Sequence, residues 1–302
     1  MATDTLKVPG AVRPRAGRYF VPLVTGAAFL LLNREPLVTL VRDWWNDPEA
    51  GHGLLLGPLA LVLAWRKGLV SDARGQPWLG LAILTGSVLL RYLSGLAAEL
   101  YTMRLSMLGA AAGLIVFGLG FRQLLRWWLP ALLLLLSVPL PAMVLNALAF
   151  PLQLKASAIG TALLEWRHVP VITTGNVIHL PGHSLFVTEA CSGLRSLTAL
   201  ISLAVLIGGL WLRTPVGRLV LAALVIPVGI VLNGIRVFLT GFLVAFVDPA
   251  LADGFMHLSE GWALFVVAFG VMGVMAWGLN ALERIRPRWR REHESWHGHR
   301  PA

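Results

Sequence analysis

The stretch 217–245, GRLVLAALVIPVGIVLNGIRVFLTGFLVA, carries only two charged residues, Arg218 near its start and Arg236 within it. A membrane-crossing helix needs about 20 mostly apolar residues, and this run exceeds that. The rest of the chain is of the same kind. Of its 302 residues, 57% are hydrophobic and 13% charged, with a mean hydropathy of +0.73. Soluble domains carry about 25% charged and roughly 45–50% apolar residues. The composition excludes a soluble protein, a disordered chain and a disulfide scaffold. The expected fold class is an all-α polytopic membrane protein. A single cysteine, Cys191, excludes an intrachain disulfide and any metal site built from several cysteines.

Eight spans are expected, near 19–41, 53–65, 78–98, 105–121, 126–145, 196–212, 217–245 and 261–282, the second of them short. The N-terminus, 1–18, is basic (Lys7, Arg13, Arg15, Arg18), and the apolar run after it reads as an uncleaved first helix because more spans follow. The net charge of +10 is explained by the positive-inside rule rather than by nucleic-acid binding. With eight spans and an inside N-terminus, the segments 1–18, 66–74, 122–126 and 213–218 and the tail 283–302 hold 17 of the 25 basic residues on the inner side. Both termini are therefore expected to be cytoplasmic in a plasma (inner) membrane protein. The pairs Trp44–Trp45 and Trp127–Trp128 suit either interfacial belts or core packing.

Between the fifth and sixth spans, the stretch 146–190 falls on the outer side of this topology. Its first part, 147–166, reads as an amphipathic or re-entrant helix, with Pro139, Pro141 and Pro151 as helix breakers. Its second part changes period. Val169, Val171, Val177, Ile178, Leu180, Leu185 and Val187 alternate around the turn pairs Gly175-Asn176 and Pro181-Gly182, which predicts short β-hairpin strands. The basic tail carries His293, His297 and His299, read as solvated or lipid-facing; no metal site and no cofactor is assigned.

Three local features carry chemistry. The first is Glu189-Ala-Cys-Ser-Gly-Leu-Arg195, after a strand signal and before an apolar helix. Ser192 can cap that helix. Cys191 then precedes the helix N-terminus, whose dipole and free N–H groups favour a thiolate, and Gly193 keeps the approach to the sulfur open. The plain alternative is a small buried hydrophobe. The second is Asn233-Gly-Ile-Arg236. An intramembrane arginine is a functional candidate by default. Asn233 and Arg236 share a helix face, and Arg236 suits a developing oxyanion, a structural ion pair or a headgroup contact. The third is His257, with Ser259, Glu260 and Gly261, where a histidine can serve as acid or base. His52, His168, His179 and His183 are not distinguished from it by residue type. Glu99 and Glu189 suit orienting contacts or ion pairs. His179 and His183 would suit a metal only on a helix, which Pro181-Gly182 argues against.

Taken in order, these three features resemble the exosortase/archaeosortase family over roughly 19–282, and Gly51-His52-Gly53 is similar to a His-Gly element common there. The resemblance implies a polytopic cysteine transpeptidase or protease. Such an enzyme recognises a C-terminal sorting signal on secreted proteins, made of a short motif, a transmembrane helix and a basic cluster, and cuts at the motif on the outer face. It implies a triad of Cys191, Arg236 and His257, supported by Glu189, Ser192, Gly193, Arg195 and Asn233. The partners implied are secreted proteins with such a tail, with membrane lipids around the spans. Two other readings stand beside it: a membrane acyltransferase using the same thioester, and a non-enzymatic transporter or envelope-polysaccharide assembly component.

Overall fold

A computed structural model describes residues 17–47, 50–186, 194–247 and 266–285. It is built from helices and one small sheet. The first expected span is two helices, α1 (Gly17–Leu32) and α2 (Arg34–Asn46), bent by 68° at Asn33. The apolar run ends at Leu32, and α2 carries Arg34, Glu35, Arg42 and Asp43. Next come α3 (Gly53–Lys67), α4 (Pro77–Leu96) and α5 (Leu100–Leu119), close to the expected second, third and fourth spans.

A short α6 (Phe121–Arg126) follows, and the fifth expected span, 126–145, is broken. It holds α7 (Trp128–Leu136) and the start of the next helix, and α7 stops before Pro139 and Pro141, which cannot donate backbone hydrogen bonds. The segment expected as an amphipathic or re-entrant helix is instead α8 (Ala142–Trp166), a continuous 25-residue helix that runs through Pro151. It is long and apolar enough to cross a membrane. Three further helices follow: α9 (Leu194–Trp211), α10 (Pro215–Phe246) and α11 (Val266–Ile285). Among the described residues, five helices (α4, α5, α8, α10 and α11) are long and apolar enough to span, or six if the bent α1–α2 pair counts as one. The protein is therefore a mostly helical, multi-pass membrane protein.

The sheet has three antiparallel strands in sequence order: β1 (Ile172–Thr174), β2 (Val177–Leu180) and β3 (His183–Phe186). Both expected turn pairs close it, with Thr174 facing Val177 and Leu180 facing His183. Gly175 and Gly182 take φ of +63° and +79°, conformations that cost glycine little. Ile178 and Leu180 are buried with Ala156 and Leu164 of α8 and Val237 and Val244 of α10. The sheet thus caps the C-terminal ends of α8 and α10.

The segments 66–74, 122–126 and 213–218 meet at one end of the molecule. Lys67 Nζ donates to the Arg126 carbonyl at 3.2 Å and Arg126 Nε donates to the Lys67 carbonyl at 2.7 Å. Lys67 and Arg218 both lie over the Trp128 ring, at 5.5 and 4.8 Å. Gln123 ties the next turn, accepting from the Val70 N–H at 2.8 Å and donating to the Gly68 carbonyl at 3.2 Å. Of the first tryptophan pair, Trp45 is exposed, whereas Trp44 is buried and donates from Nε1 to the Ser137 carbonyl at 2.7 Å.

At the other end, Glu99 caps α5, accepting from the N–H groups of Tyr101 and Thr102. Burial pushes the Glu99 carboxyl up, but the Thr102 hydroxyl, those two N–H groups and nearby Arg104 outweigh it and hold the group below its ordinary value near 4.5. A depressed folded pKa stabilises above the unfolded pKa, and the contribution is lost as pH falls through the folded one. Glu99→Gln is therefore expected to lower Tm at pH 7. The gap to wild type should close as pH drops below about 4.5, and an unchanged gap across that window would contradict the capping role.

Candidate functional site

The contacts among α8, α9, α10 and α11 fix their directions. A Cβ on Gly160 would lie 2.5 Å from Val237 Cγ1, one on Gly234 would lie 2.5 Å from Ile159 Cγ2, and one on Gly241 would lie 2.8 Å from Leu164 Cδ1. Both series ascend together, so α8 and α10 run parallel. Gly229 meets Leu197, and Gly208 meets Arg218 and Leu221, so α9 runs antiparallel to α10. Glu283 of α11 accepts from the N–H groups of Arg213 and Thr214 at 2.8 and 3.2 Å, so α11 also descends toward the start of α10. Leu200, Ala204, Leu221, Val225, Met272 and Ala276 bind these three helices into one apolar cluster.

The rise of 1.5 Å per residue then sets the levels. Leu194 stands about 21 Å above Gly208 along α9, and the same climb from Arg218 along α10 reaches the turn that begins α10's Asn233-Gly-Ile-Arg236. Val266 stands about 26 Å above Glu283 along α11, and the same climb from Gly217 reaches that turn too. The start of α9 and the first described turn of α11 therefore lie level with Asn233 and Arg236. Cys191 precedes Leu194 by three positions and His257 precedes Val266 by nine.

Asn233 and Arg236 are both buried, at 7% and 8% relative exposure. That burial excludes an Arg236 side chain directed into lipid or headgroups. The Arg236 carbonyl accepts from the Thr240 hydroxyl at 3.0 Å, a bond within the helix. Among the described residues, the Asn233 Nδ2 has no hydrogen-bond partner, and neither has the Ser157 Oγ of α8, which is fully buried. Ser157 lies one turn before Gly160, as Asn233 lies one turn before Val237, so the seam between α8 and α10 holds two buried polar groups at the level of Arg236. A buried polar group without a partner costs about 1–3 kcal/mol. Ser157 is absent from the sequence reading because one serine in an apolar helix gives no signal by itself.

Glu189, Cys191, Ser192, Gly193 and His257 lie outside the described residues, as do Ser259, Glu260, Gly261 and the tail histidines. Arg195 is the second residue of α9. Of the other flagged histidines, His52 Nε2 lies 3.3 Å from the Leu136 carbonyl, and His179 Nδ1 lies 2.9 Å from Ser184 Oγ across β2 and β3. Among the described residues, no group of three or more His, Cys, Asp or Glu side chains could hold a metal ion. One ion pair between helices gives no signal in the sequence: buried Arg104 of α5 bonds Asp43 of α2 at 2.6 Å, a pairing across 61 positions that no local pattern announces.

A family model described as transmembrane exosortase matches residues 44–274, a range that contains all three motifs. No curated protein and no solved structure matches the chain.

The close contact of α8 and α10 gives a direct test. Gly234→Leu forces the seam apart and is expected to destabilise by about 1–3 kcal/mol, the usual cost of overpacking, read as a lowered Tm. Gly273→Ala is the control, because a Cβ there meets nothing within 4 Å. It should leave Tm unchanged or raise it, and equal losses from both substitutions would refute the seam.

Proposed function

The chain belongs to the transmembrane exosortase family, and on that premise we propose that it is an integral-membrane cysteine protease or transpeptidase. Its substrates are secreted proteins carrying a C-terminal sorting signal: a short motif, a transmembrane helix and a basic cluster. Cleavage takes place at the motif, on the extracytoplasmic face. The observation that carries this reading is the shared level of three chain positions. The start of α9, just after Cys191, and the described start of α11, after His257, stand level with the buried Arg236. Covalent catalysis needs a nucleophile and a base distant in sequence to meet in space, and the shared level supports that reading.

The chemistry follows from the residue types. The Cys191 thiolate attacks the scissile carbonyl carbon, and the carbonyl π electrons move to oxygen. Arg236 donates to that oxyanion, an interaction worth most away from water. The oxyanion collapses, the C–N bond breaks, and the imidazolium of His257 gives its proton to the leaving amine. The thioester then meets an acceptor amine or hydroxyl, or water, whose proton passes to His257 as the Cys191 sulfur departs. In this reading Ser192 serves as a cap for the helix that follows, Gly193 leaves the sulfur open to attack, and Glu189 and Arg195 flank the nucleophile in sequence. Asn233 offers its amide N–H to the substrate on the face shared with Arg236. No cofactor and no metal takes part.

The topology proposed with this function has eight spans in 19–282, a cytoplasmic 1–18 and a basic cytoplasmic tail, 283–302. The sheet and the active site then face out of the cytoplasm, with the protein in the inner membrane. The gathering of 66–74, 122–126 and 213–218 at the end remote from Arg236 supports that orientation, since basic loops stay inside. The substrate's own transmembrane helix, held among the spans, would bring the cleavage motif to Cys191. Such proximity is worth about 7–11 kcal/mol when the geometry is right.

Co-expression with a tagged protein bearing such a tail tests the proposal by mass. Wild type should remove the tail, and Cys191→Ala should leave it intact. Arg236→Lys should slow trimming by roughly 10²–10³-fold, the typical loss of an oxyanion donor. Equal trimming by wild type and Cys191→Ala would remove Cys191 as nucleophile. Transfer of a lipid acyl group through Cys191 without peptide cleavage would instead identify an acyltransferase, and transport that survives Cys191→Ala would identify a transporter or assembly component.

A further inference from the structure

A second site stands at the opposite, basic end. An open cleft of about 380 Å³ lies between the α3–α4 linker and the α5–α6 junction, lined by Asp72, Arg74, Gln76, Phe121 and Arg122. Its walls are fixed by backbone contacts. The Gln76 N–H donates to the Val116 carbonyl at 3.0 Å, and the Phe121 N–H donates to Gln76 Oε1 at 3.3 Å. A Cβ on Gly75 would come within 2.5 Å of the Phe117 carbonyl oxygen, and one on Gly120, at φ +83°, would overlap the Arg74 carbonyl oxygen. These two close approaches clamp one lining segment against the other and so set Arg74 and Arg122 on either side of one opening.

The charges in the cleft form no ion pair with another described residue. The ion pairs among the described residues are Arg91–Glu35 and Arg104–Asp43, so neither Arg74 nor Arg122 is paired with Asp72 or any other described carboxylate. Two guanidiniums match the oxygens of a phosphate. A site for a plain anion would be weakened by a carboxylate in its wall, whereas a ligand with both a phosphate and an ammonium uses all three groups. The surroundings locate the source. Trp78, at the start of the candidate span α4, is 83% exposed, and Leu79, Leu81, Phe117 and Phe121 are exposed beside it. A tryptophan with exposed apolar neighbours at a span end is a bilayer-interface feature.

We propose that this cleft binds one phospholipid with an amine-bearing headgroup, its phosphate held by Arg74 and Arg122 and its ammonium by Asp72. The acyl chains then lie along the exposed faces of α4 and α5. The site is independent of the thiol chemistry at Arg236's level and about a span's length from it.

The full chain, purified in detergent, tests this with native mass spectrometry against three probes: phosphatidylethanolamine, phosphatidylglycerol and inorganic phosphate. Wild type should retain one phosphatidylethanolamine in preference to phosphatidylglycerol. R74Q/R122Q should bind it roughly 30-fold more weakly, as expected from the loss of two basic contacts near a membrane surface. Asp72→Asn should lose the preference for the amine-bearing headgroup while still binding phospholipid. Tm of each variant, with exposed residues changed, confirms that it is folded. Retention by R74Q/R122Q equal to wild type would overturn the proposal. So would equal preference for the two lipids in wild type, or full displacement by inorganic phosphate, which would make this a free-phosphate site.

Discussion

The approach of α8 to α10 at Gly160 and Gly234 is the contact on which the rest of the arrangement depends. Without a side chain at either position, Val237 packs onto one helix and Ile159 onto the other, and the two backbones come close enough to enclose Asn233, Arg236 and Ser157. Small residues at helix contacts serve this purpose in membranes, where packing rather than the hydrophobic effect drives helix association. Because α8 and α10 are parallel, both end on the same side. Their ends then provide the platform for Val169, Ile178 and Leu180, and the sheet that delivers the chain toward Cys191 has one place to sit.

Charge divides the molecule along the same axis. At one end, Lys67, Arg126 and Arg218 gather round Trp128, each also bonding backbone carbonyls at helix termini: Lys67 to Arg126, Arg126 to Lys67, and Arg218 to Leu212. Cations at helix C-termini are stabilised by the carbonyls left open there. At the other end, Glu99 accepts from the first N–H groups of α5. The result is a basic end set against an end where Asn233 and Arg236 lie among buried polar groups. Positive loops would be retained inside, so the same charge pattern that organises the helix ends also orients the proposed chemistry outward.

The sequence was most informative where one residue type has one physical use. Gly175-Asn176 and Pro181-Gly182 mark the sheet turns because positive φ is cheap only for glycine and its few substitutes. The long apolar runs of α4, α5 and α10 are visible for the same reason, since charge is excluded from them. The fifth span failed because hydropathy alone does not register where a helix stops. Pro139 and Pro141 end it, although the residues on both sides are apolar. Pro151, weighed as a breaker, sits within α8, so the three prolines act differently in different backbone settings. At the candidate site, Asn233 and Arg236 were legible from the intramembrane charge and their three-residue spacing. Ser157 and the Arg104–Asp43 pair were not, because each acquires meaning only through a partner helix distant in sequence.

The burial of Arg236 is the feature on which its proposed catalytic role builds. A guanidinium deep among apolar helices is expensive, and near it Asn233 and Ser157 add polar atoms without hydrogen-bond partners among the described residues. In the proposed reaction Asn233 and Ser157 are suited to a ligand that supplies partners on arrival, and a peptide backbone offers acceptors to Asn233. Its scissile carbonyl, set beside Arg236, would accept more strongly once it becomes an oxyanion. That difference between ground and transition state is what would make binding catalytic.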